Sequence, residues 1–196
     1  MLFNLENSNS STNYKLMSQT VIPRPIAWVV TENRKGVINI APFSYFTPLS
    51  SNPPTMLISV GHKSDGTPKD TLQNLRDTKR CVICLTETKD LDKMHLSSKA
   101  LASNISEADE FNIKTKKLLE DFPPIVEDTP CAYFCTYNQE LDISKATIPI
   151  ILNIKELFIN DRIIKDRDKL EIEFNPIARV GKSYKNLGEE LKAPNI

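Results

Sequence analysis

The stretch GTPKDTLQNLRDT, residues 66–78, holds the side chains best arranged to take an anion. Its pattern predicts a helix with Thr67 as N-cap, Pro68 at the first helical position, Asp70 completing a capping-box-like pair, and Leu72 and Leu75 on one apolar stripe. A helix start offers unpaired N–H groups and the positive end of the dipole. Here Lys69 and the Thr71 hydroxyl sit in that first turn, with Asn74 one turn later. A phosphate fits such a site. An ordinary capped surface helix with a solvated lysine has the same spacing and is the simpler reading of the spacing alone.

A second group lies in residues 21–46, VIPRPIAWVVTENRKGVINIAPFSYF, where Arg24 stands between two prolines and Trp28 is the only tryptophan of the chain. Strand backbone near Trp28 and Val29, beside Ser44, Tyr45 and Phe46 at the end of the neighbouring strand, makes a half-apolar cleft with a few hydroxyls. Such clefts accept flat heteroaromatic rings. Taken alone, Trp28 and Phe46 read as core aromatics, and Pro23 and Pro25 as stiffeners of a strand entry. A ring site together with a phosphate site points to a nucleotide-like cofactor.

Other chemistries find no support in the residue order. The chain has no GxGxxG and no P-loop, and five glycines are too few for a glycine-rich phosphate cradle. His62 and His95 are the only histidines, and neither has a carboxylate or cysteine at metal-ligand spacing, so no metal site is expected. His62 falls in a loop where it is either solvated or touching a ligand; His95 reads as a helix-face residue. No Ser-His-Asp or Cys-His arrangement emerges, and no catalytic residue is assigned. Cys81 and Cys84 form a CxxC inside a strand-like run, where an odd separation sends the two side chains to opposite faces. Cys131 and Cys135 share a face but lack further ligands, so all four cysteines read as buried, reduced thiols. Glu107, Asp109 and Glu110 in ISEADEF read as a solvated acidic loop.

The elements that must position these groups are mostly strands. Residues 26–32 and 37–43 form a hairpin around Asn33-Arg34-Lys35-Gly36, with Gly36 free to take a positive φ. Residues 55–61, 80–87, 131–140, 148–160 and 170–180 add five more strands. The reading is a mainly β protein with a few helices, and short strands joined by turns favour an antiparallel barrel. Beyond the helix at Thr67, residues 88–102 read as a weaker helix and 115–122 as a short one that Pro123-Pro124 ends.

At 196 residues the expectation is a single domain over 1–196, with 1–18 an N-terminal extension and 185–196 a C-terminal tail. With 25 basic and 25 acidic side chains the net charge is about zero, which removes the basic field of a nucleic-acid binder. The opening MLFNLENSNSSTNYKL has neither a basic nor an apolar leader region, and no apolar run reaches the roughly 18 residues of a membrane span. A cytoplasmic protein with no membrane attachment is expected.

Three stretches taken in order, PRPIAWVVT, NIAPFSYFTPLSSNPPTMLISVG and DGTPKDTLQNLRDTKRCVICL, resemble the flavin reductase-like, FMN-binding split-barrel family of flavoredoxins and flavin:NAD(P)H oxidoreductases. The resemblance resumes at PIARVGKSYKNLGE and so spans most of residues 20–190. It implies a split antiparallel β-barrel, a homodimer, and FMN, with FAD as the alternative, in a groove near the subunit interface. By position, Arg24, Ala27, Trp28, Val29, Ser44, Tyr45 and Phe46 would line the isoalloxazine and ribityl chain. Ser59 and Gly61 end the adjacent strand, and Lys69, Asp70, Thr71 and Asn74 would face the phosphate. Arg179 and Tyr184 match the closing motif and approach either the cofactor or the dimer partner. The implied activity is hydride transfer from NAD(P)H to flavin. An FMN-binding electron carrier without a nicotinamide site, served by a redox partner protein, is the alternative, and a barrel that has lost flavin is a third. The chain departs from the family pattern at Gly181-Lys182, where paired glycines are common, and over residues 91–122.

Overall fold

Strands β1 (Ala27–Glu32) and β2 (Ile38–Phe43) form the expected hairpin in the computed structural model, which describes residues 1–143 and 147–193. The Asn33 side chain accepts from the N–H groups of Lys35 (2.9 Å) and Val37 (3.0 Å), and Gly36 takes φ 81°, so the turn is closed by its own residues. Strand β3 (Phe46–Ser51) follows after two residues and pairs with β4 (Pro54–Gly61). Next come β5 (Arg80–Cys84), the small ladder of β6 (Thr115–Lys116) with β7 (Ile125–Val126), then β8 (Cys131–Glu140) and β9 (Thr147–Ile159). Seven of these make one antiparallel sheet in the order β2-β1-β5-β8-β9-β4-β3.

The two edge strands of that sheet, β2 and β3, are joined by only Ser44 and Tyr45. A two-residue link cannot span a flat seven-stranded sheet, whose neighbouring strands are about 4.8 Å apart, so the sheet curls until its edges meet. The result is a split antiparallel barrel. Tyr45 carbonyl oxygen accepts from the Ser59 N–H at 2.9 Å and straps the crossing to β4.

Both faces of the sheet are buried. Ala27, Val29, Ile58, Cys81 and Cys135 belong to one cluster, which Leu72 and Leu75 of helix α2 (Asp70–Thr78) close. Trp28, Val30, Cys84 and Phe134 belong to the other, under the segment that follows β5. Period-two alternation therefore separates Cys81 from Cys84, as the sequence requires, and all four cysteines are free and buried.

The helices are α1 (Ser10–Thr20), α2 (Asp70–Thr78), α3 (Leu91–Leu96) and α4 (Glu107–Glu110). Several differ from expectation. The proposed N-terminal extension holds α1, capped by Asn9, whose side chain accepts from the Thr12 N–H. Thr67 does not cap α2: its hydroxyl and N–H both go to Asp65 in a separate turn (2.6 and 2.9 Å), and Lys69 becomes an N-cap without a side-chain hydrogen bond. Asp70 is then the first helical residue and pairs with Lys63 at 2.8 Å. Residues 88–102 are helical only through a 3-10 turn and α3, because the Ser97 and Ser98 hydroxyls take the Met94 and His95 carbonyls at 2.8 and 2.7 Å.

Residues 115–122 are not a helix. Thr115-Lys116 pair with Ile125-Val126 instead, and a segment this short has too little helix propensity to outweigh that pairing. Residues 170–180 break into β11 (Glu171–Ile172), paired with β10 (Ile164–Asp166), and β12 (Ile177–Val180), paired with β13 (Ser183–Asn186) around Gly181 at φ 55°. The acidic loop is α4, and its Glu107 is buried rather than solvated.

Candidate functional site

The start of α2 stands over the end of β2 and makes one wall of a cleft of about 360 Å³. Lys69, Asp70 and Thr71 from α2, Ala41, Pro42 and Phe43 from β2, the 62–65 loop, and Ser97 to Leu101 line it. Because Lys69 caps with its backbone alone, no side chain of the cap residue occupies the first N–H groups of α2. Lys69 holds its ammonium 5.8 Å from the Phe43 ring centroid, and Lys63 and Lys99 add positive charge. Asp70 opposes them but is held by Lys63 at 2.8 Å. Glu107 also reaches this cleft; it accepts from the Ile40 N–H at 2.9 Å, and burial pushes its carboxyl above the ordinary range.

A smaller compartment of about 180 Å³ continues from the cleft, sharing Pro42, Phe43 and Ser98. Ser44, Tyr14, Ile26, Met94, His95, Arg179 and Tyr184 complete it. The two form one bent groove across the point where the barrel crosses from β2 to β3. His95 Nδ1 lies 2.9 Å from the Tyr184 hydroxyl, and the Arg179 guanidinium sits 4.5 Å from the Tyr184 ring centroid.

The expected site residues divide into three groups. Ser44, Lys69, Asp70 and Thr71 line the groove. Arg24, Tyr45 and Asn74 stand behind it. Arg24 is buried, donates to the Ser18 and Val21 carbonyls and contacts Ser44 Oγ at 3.4 Å. Tyr45 lies between the Tyr14 ring and the Arg24 guanidinium, each 6.0 Å away. Burial and Tyr14 raise the Tyr45 hydroxyl above its ordinary value while Arg24 lowers it. Asn74 and Thr71 are drawn into a buried cluster: Asn39 Nδ2 donates to Thr71 Oγ1 at 2.9 Å and to Thr31 Oγ1 at 3.2 Å, and Asn74 Nδ2 donates to Thr31 Oγ1 at 3.1 Å. That cluster docks α2 on the hairpin.

The remaining residues stand apart from the groove lining. Ala27, Trp28 and Val29 are fully buried, with Trp28 Nε1 donating to Ser97 Oγ at 2.9 Å. Phe46 opens β3 and packs on the barrel interior, while Ser59 and Gly61 sit in the β4–β9 ladder opposite Pro149 and Thr147. Sequence reasoning left His62-Lys63 as a loop either solvated or touching a ligand, and did not assign Lys99, Glu107 or Tyr14 to the site. Lys63 and Lys99 lie outside regular elements, where a lone charge carries no periodic signal.

One polar atom in the cleft wall has no partner among the described residues: His62 Nδ1 is buried and makes no hydrogen bond. A buried, unpartnered nitrogen costs free energy unless a ligand meets it. With three lysines, an uncapped helix start and an aromatic-walled annex, the groove has the donor set for a phosphorylated ring compound.

A split antiparallel barrel with a groove at the β2–β3 crossing is the class of protein that fold and site define. The comparisons narrow the class: residues 17–167 match the model of the flavin reductase like domain, and the chain belongs to that family. A protein of Deinococcus radiodurans is 30% identical over 184 residues, covering 92% of this chain and 81% of its own. Among solved structures, the 2-nitrobenzoate 2-nitroreductase of Pseudomonas fluorescens superposes with a TM-score of 0.89 at 26% identity, covering 100% of this chain and 96% of the other. Nitrilotriacetate monooxygenase component B of Bacillus cereus gives 0.89 at 25% identity, with 98% of each chain covered.

Proposed function

We propose that this chain is an FMN-binding oxidoreductase, a flavin reductase that passes hydride from NAD(P)H to flavin. The observation that carries the reading is the groove itself: a wide end at the start of α2 that places Lys63, Lys69 and Lys99 around the first helical turn, with the unpartnered His62 Nδ1 in its wall, running into a narrow end walled by Pro42, Phe43 and Ser44. Lys69, Lys63 and the first N–H groups of α2 would hold the phosphate, and the β2 wall would take the ring. The chemistry that bound FMN supplies is acceptance of a hydride from the nicotinamide and onward delivery of the electrons.

The tasks left to this chain are binding, orientation and exclusion of water, and no side chain of the groove has to act as acid or base in hydride transfer. Lys63 cancels the charge of Asp70 beside the anion site, and the buried Thr31–Asn39–Thr71–Asn74 cluster fixes the angle at which α2 meets it. The exposed apolar side chains of Met17 in α1 and of Val21 and Ile22 just after it support a homodimer with the groove near its interface. One structural relative is by name a monooxygenase component, which supports a redox partner as the final acceptor here. Among the described residues, no helix is long and apolar enough to cross a membrane.

The test is the anaerobic absorbance spectrum of FMN-reconstituted protein before and after NADPH or NADH. Bleaching of the oxidised-flavin band faster than in a protein-free control is the expected result. Bound flavin that stays oxidised turns the reading to an electron carrier, and flavin that does not bind refutes it. Lys69→Ala is expected to weaken FMN at least about tenfold, from loss of a charged phosphate contact.

A further inference from the structure

A second cleft, of about 770 Å³, opens beside the narrow end of the groove and shares Tyr14 and Arg179 with it. One wall is helix α1, where Ser11, Tyr14, Lys15 and Ser18 stand at i, i+3, i+4 and i+7 and so form a single stripe. The other wall is the two-residue turn Gly181-Lys182 between β12 and β13, together with Arg179. The walls are tied to each other. The Gly181 N–H donates to the Ser18 carbonyl at 3.1 Å, Arg179 Nε donates to the Gly181 carbonyl at 3.1 Å, and a Cβ added at Gly181 would stand 3.3 Å from Gln19 Cγ. Lys182 is thereby carried on one wall and Lys15 on the other.

The lining charge is of one sign. Lys15, Arg179 and Lys182 contribute three cations, no carboxylate lines the cleft, and none of the three forms an ion pair among the described residues. Lys15 and Lys182 are exposed, and two flexible ammonium groups match the double negative charge of a phosphate monoester. The cleft has no lining residue in common with the wide end of the groove, where the flavin phosphate is placed, so it serves a different phosphate. Its volume lies within the roughly 300–1,000 Å³ of small-molecule sites and accommodates one nucleotide half. Gly181-Lys182 is also where the chain leaves the family pattern, with a lysine where a second glycine is common.

Resting on the flavin reductase reading for the identity of the donor, we infer that this chain takes NADPH in preference to NADH, with Lys15 and Lys182 receiving the 2′-phosphate. A nicotinamide directed at a ring in the narrow end places its adenosine half past Tyr14 and Arg179, and there the additional phosphate of NADPH meets the two lysines.

The experiment is isothermal titration of the FMN-loaded full chain with adenosine 2′,5′-bisphosphate and with adenosine 5′-monophosphate, which differ by the 2′-phosphate alone, alongside the KM for NADPH and for NADH in flavin reduction. At about 0.05 M salt the bisphosphate is expected to bind at least about fivefold more tightly, and NADPH to have a KM lower by a similar factor. Lys15→Gln combined with Lys182→Gln brings both ratios to about one, Lys182→Arg keeps them, and about 0.5 M salt reduces them. FMN affinity, titrated for each variant, reports on the groove, which neither lysine lines. Equal binding of the two nucleotides by a chain whose flavin NADH bleaches overturns the inference and leaves the proposed function standing. A preference for the bisphosphate that survives the double variant overturns the assignment to Lys15 and Lys182. Flavin that binds and is bleached by neither dinucleotide refutes the proposed function; a nucleotide preference that persists there upholds the phosphate site, and equal binding refutes both.

Discussion

Glu107 offers a test of how the groove wall is held. Strand β2 is an edge of the sheet, and the Ile40 N–H finds its acceptor in Glu107 Oε2 at 2.9 Å. Ile40 is 0% and Glu107 5% exposed, so the bond is made away from bulk water. Glu107→Ala therefore leaves a buried donor unpaired and is expected to cost about 1–3 kcal/mol, or about 2–4 °C of Tm per kcal/mol for a chain of this size. Glu107→Gln keeps an acceptor oxygen and removes the charge. Burial raises the folded-state pKa of Glu107 above 4.5, so between 4.5 and the raised value the native state binds more protons than the unfolded one. Its contribution to stability is then full below that window and falls as pH rises through it. The Gln variant should match or exceed the wild type at pH 7, and its advantage should shrink as the pH is lowered toward 4.5. Thermal unfolding of both variants from pH 4.5 to 8 checks this. An Ala variant as stable as the wild type, or a Gln variant as destabilised as Ala, refutes the assigned role of the carboxylate.

Two further outcomes follow from buried polar groups elsewhere. Ser97→Ala removes the acceptor of the Trp28 indole N–H, 2.9 Å away in a fully buried contact, and should lower stability by about 1–3 kcal/mol, read from the fluorescence of this single tryptophan in urea; an unmoved midpoint counts against the bond. Burial pushes Cys84 up to about 12 and Cys131 to about 11, and the Cys135 contact and burial raise Cys81, so thiolate is scarce at pH 8. A thiol reagent at that pH should leave the native chain unlabelled for many minutes and modify all four cysteines in denaturant; rapid labelling of the native protein would show that the barrel opens locally.

The strand pattern was legible wherever one residue in two had to be apolar, or where a turn carried its own closing residues. Asn33 and Gly36 announce the first hairpin, and RCVICL reads as a strand buried on both faces, which β5 is. Strand β3 was not legible, because an exposed edge of sequence FTPLSS needs no apolar alternation and even admits Pro48. Helix α1 was hidden for the matching reason: Ser18 is the only residue buried along it, so no apolar stripe of helical period marks it. The residues at 115–122 misled in the opposite direction, since Leu118, Leu119 and Phe122 pack on a core cluster from a turn. Apolar spacing records burial and not the backbone that delivers it.

The groove shows the same limit at one residue with a mechanical consequence. The family resemblance put Trp28 against the ligand, while the residues alone read it as a core aromatic, and its indole is buried under the sheet. Its N–H ends on Ser97, whose hydroxyl in turn takes the Met94 carbonyl at 2.8 Å and stops α3. From that stop the chain runs directly into Ser98, Lys99, Ala100 and Leu101, which line the cleft opposite α2. Trp28 thus acts on the site through Ser97: it fixes where α3 ends and hence where Lys99 enters the groove. The core aromatic thereby anchors the segment that lines the cleft opposite α2, through a contact 69 residues apart in sequence that no local pattern announces.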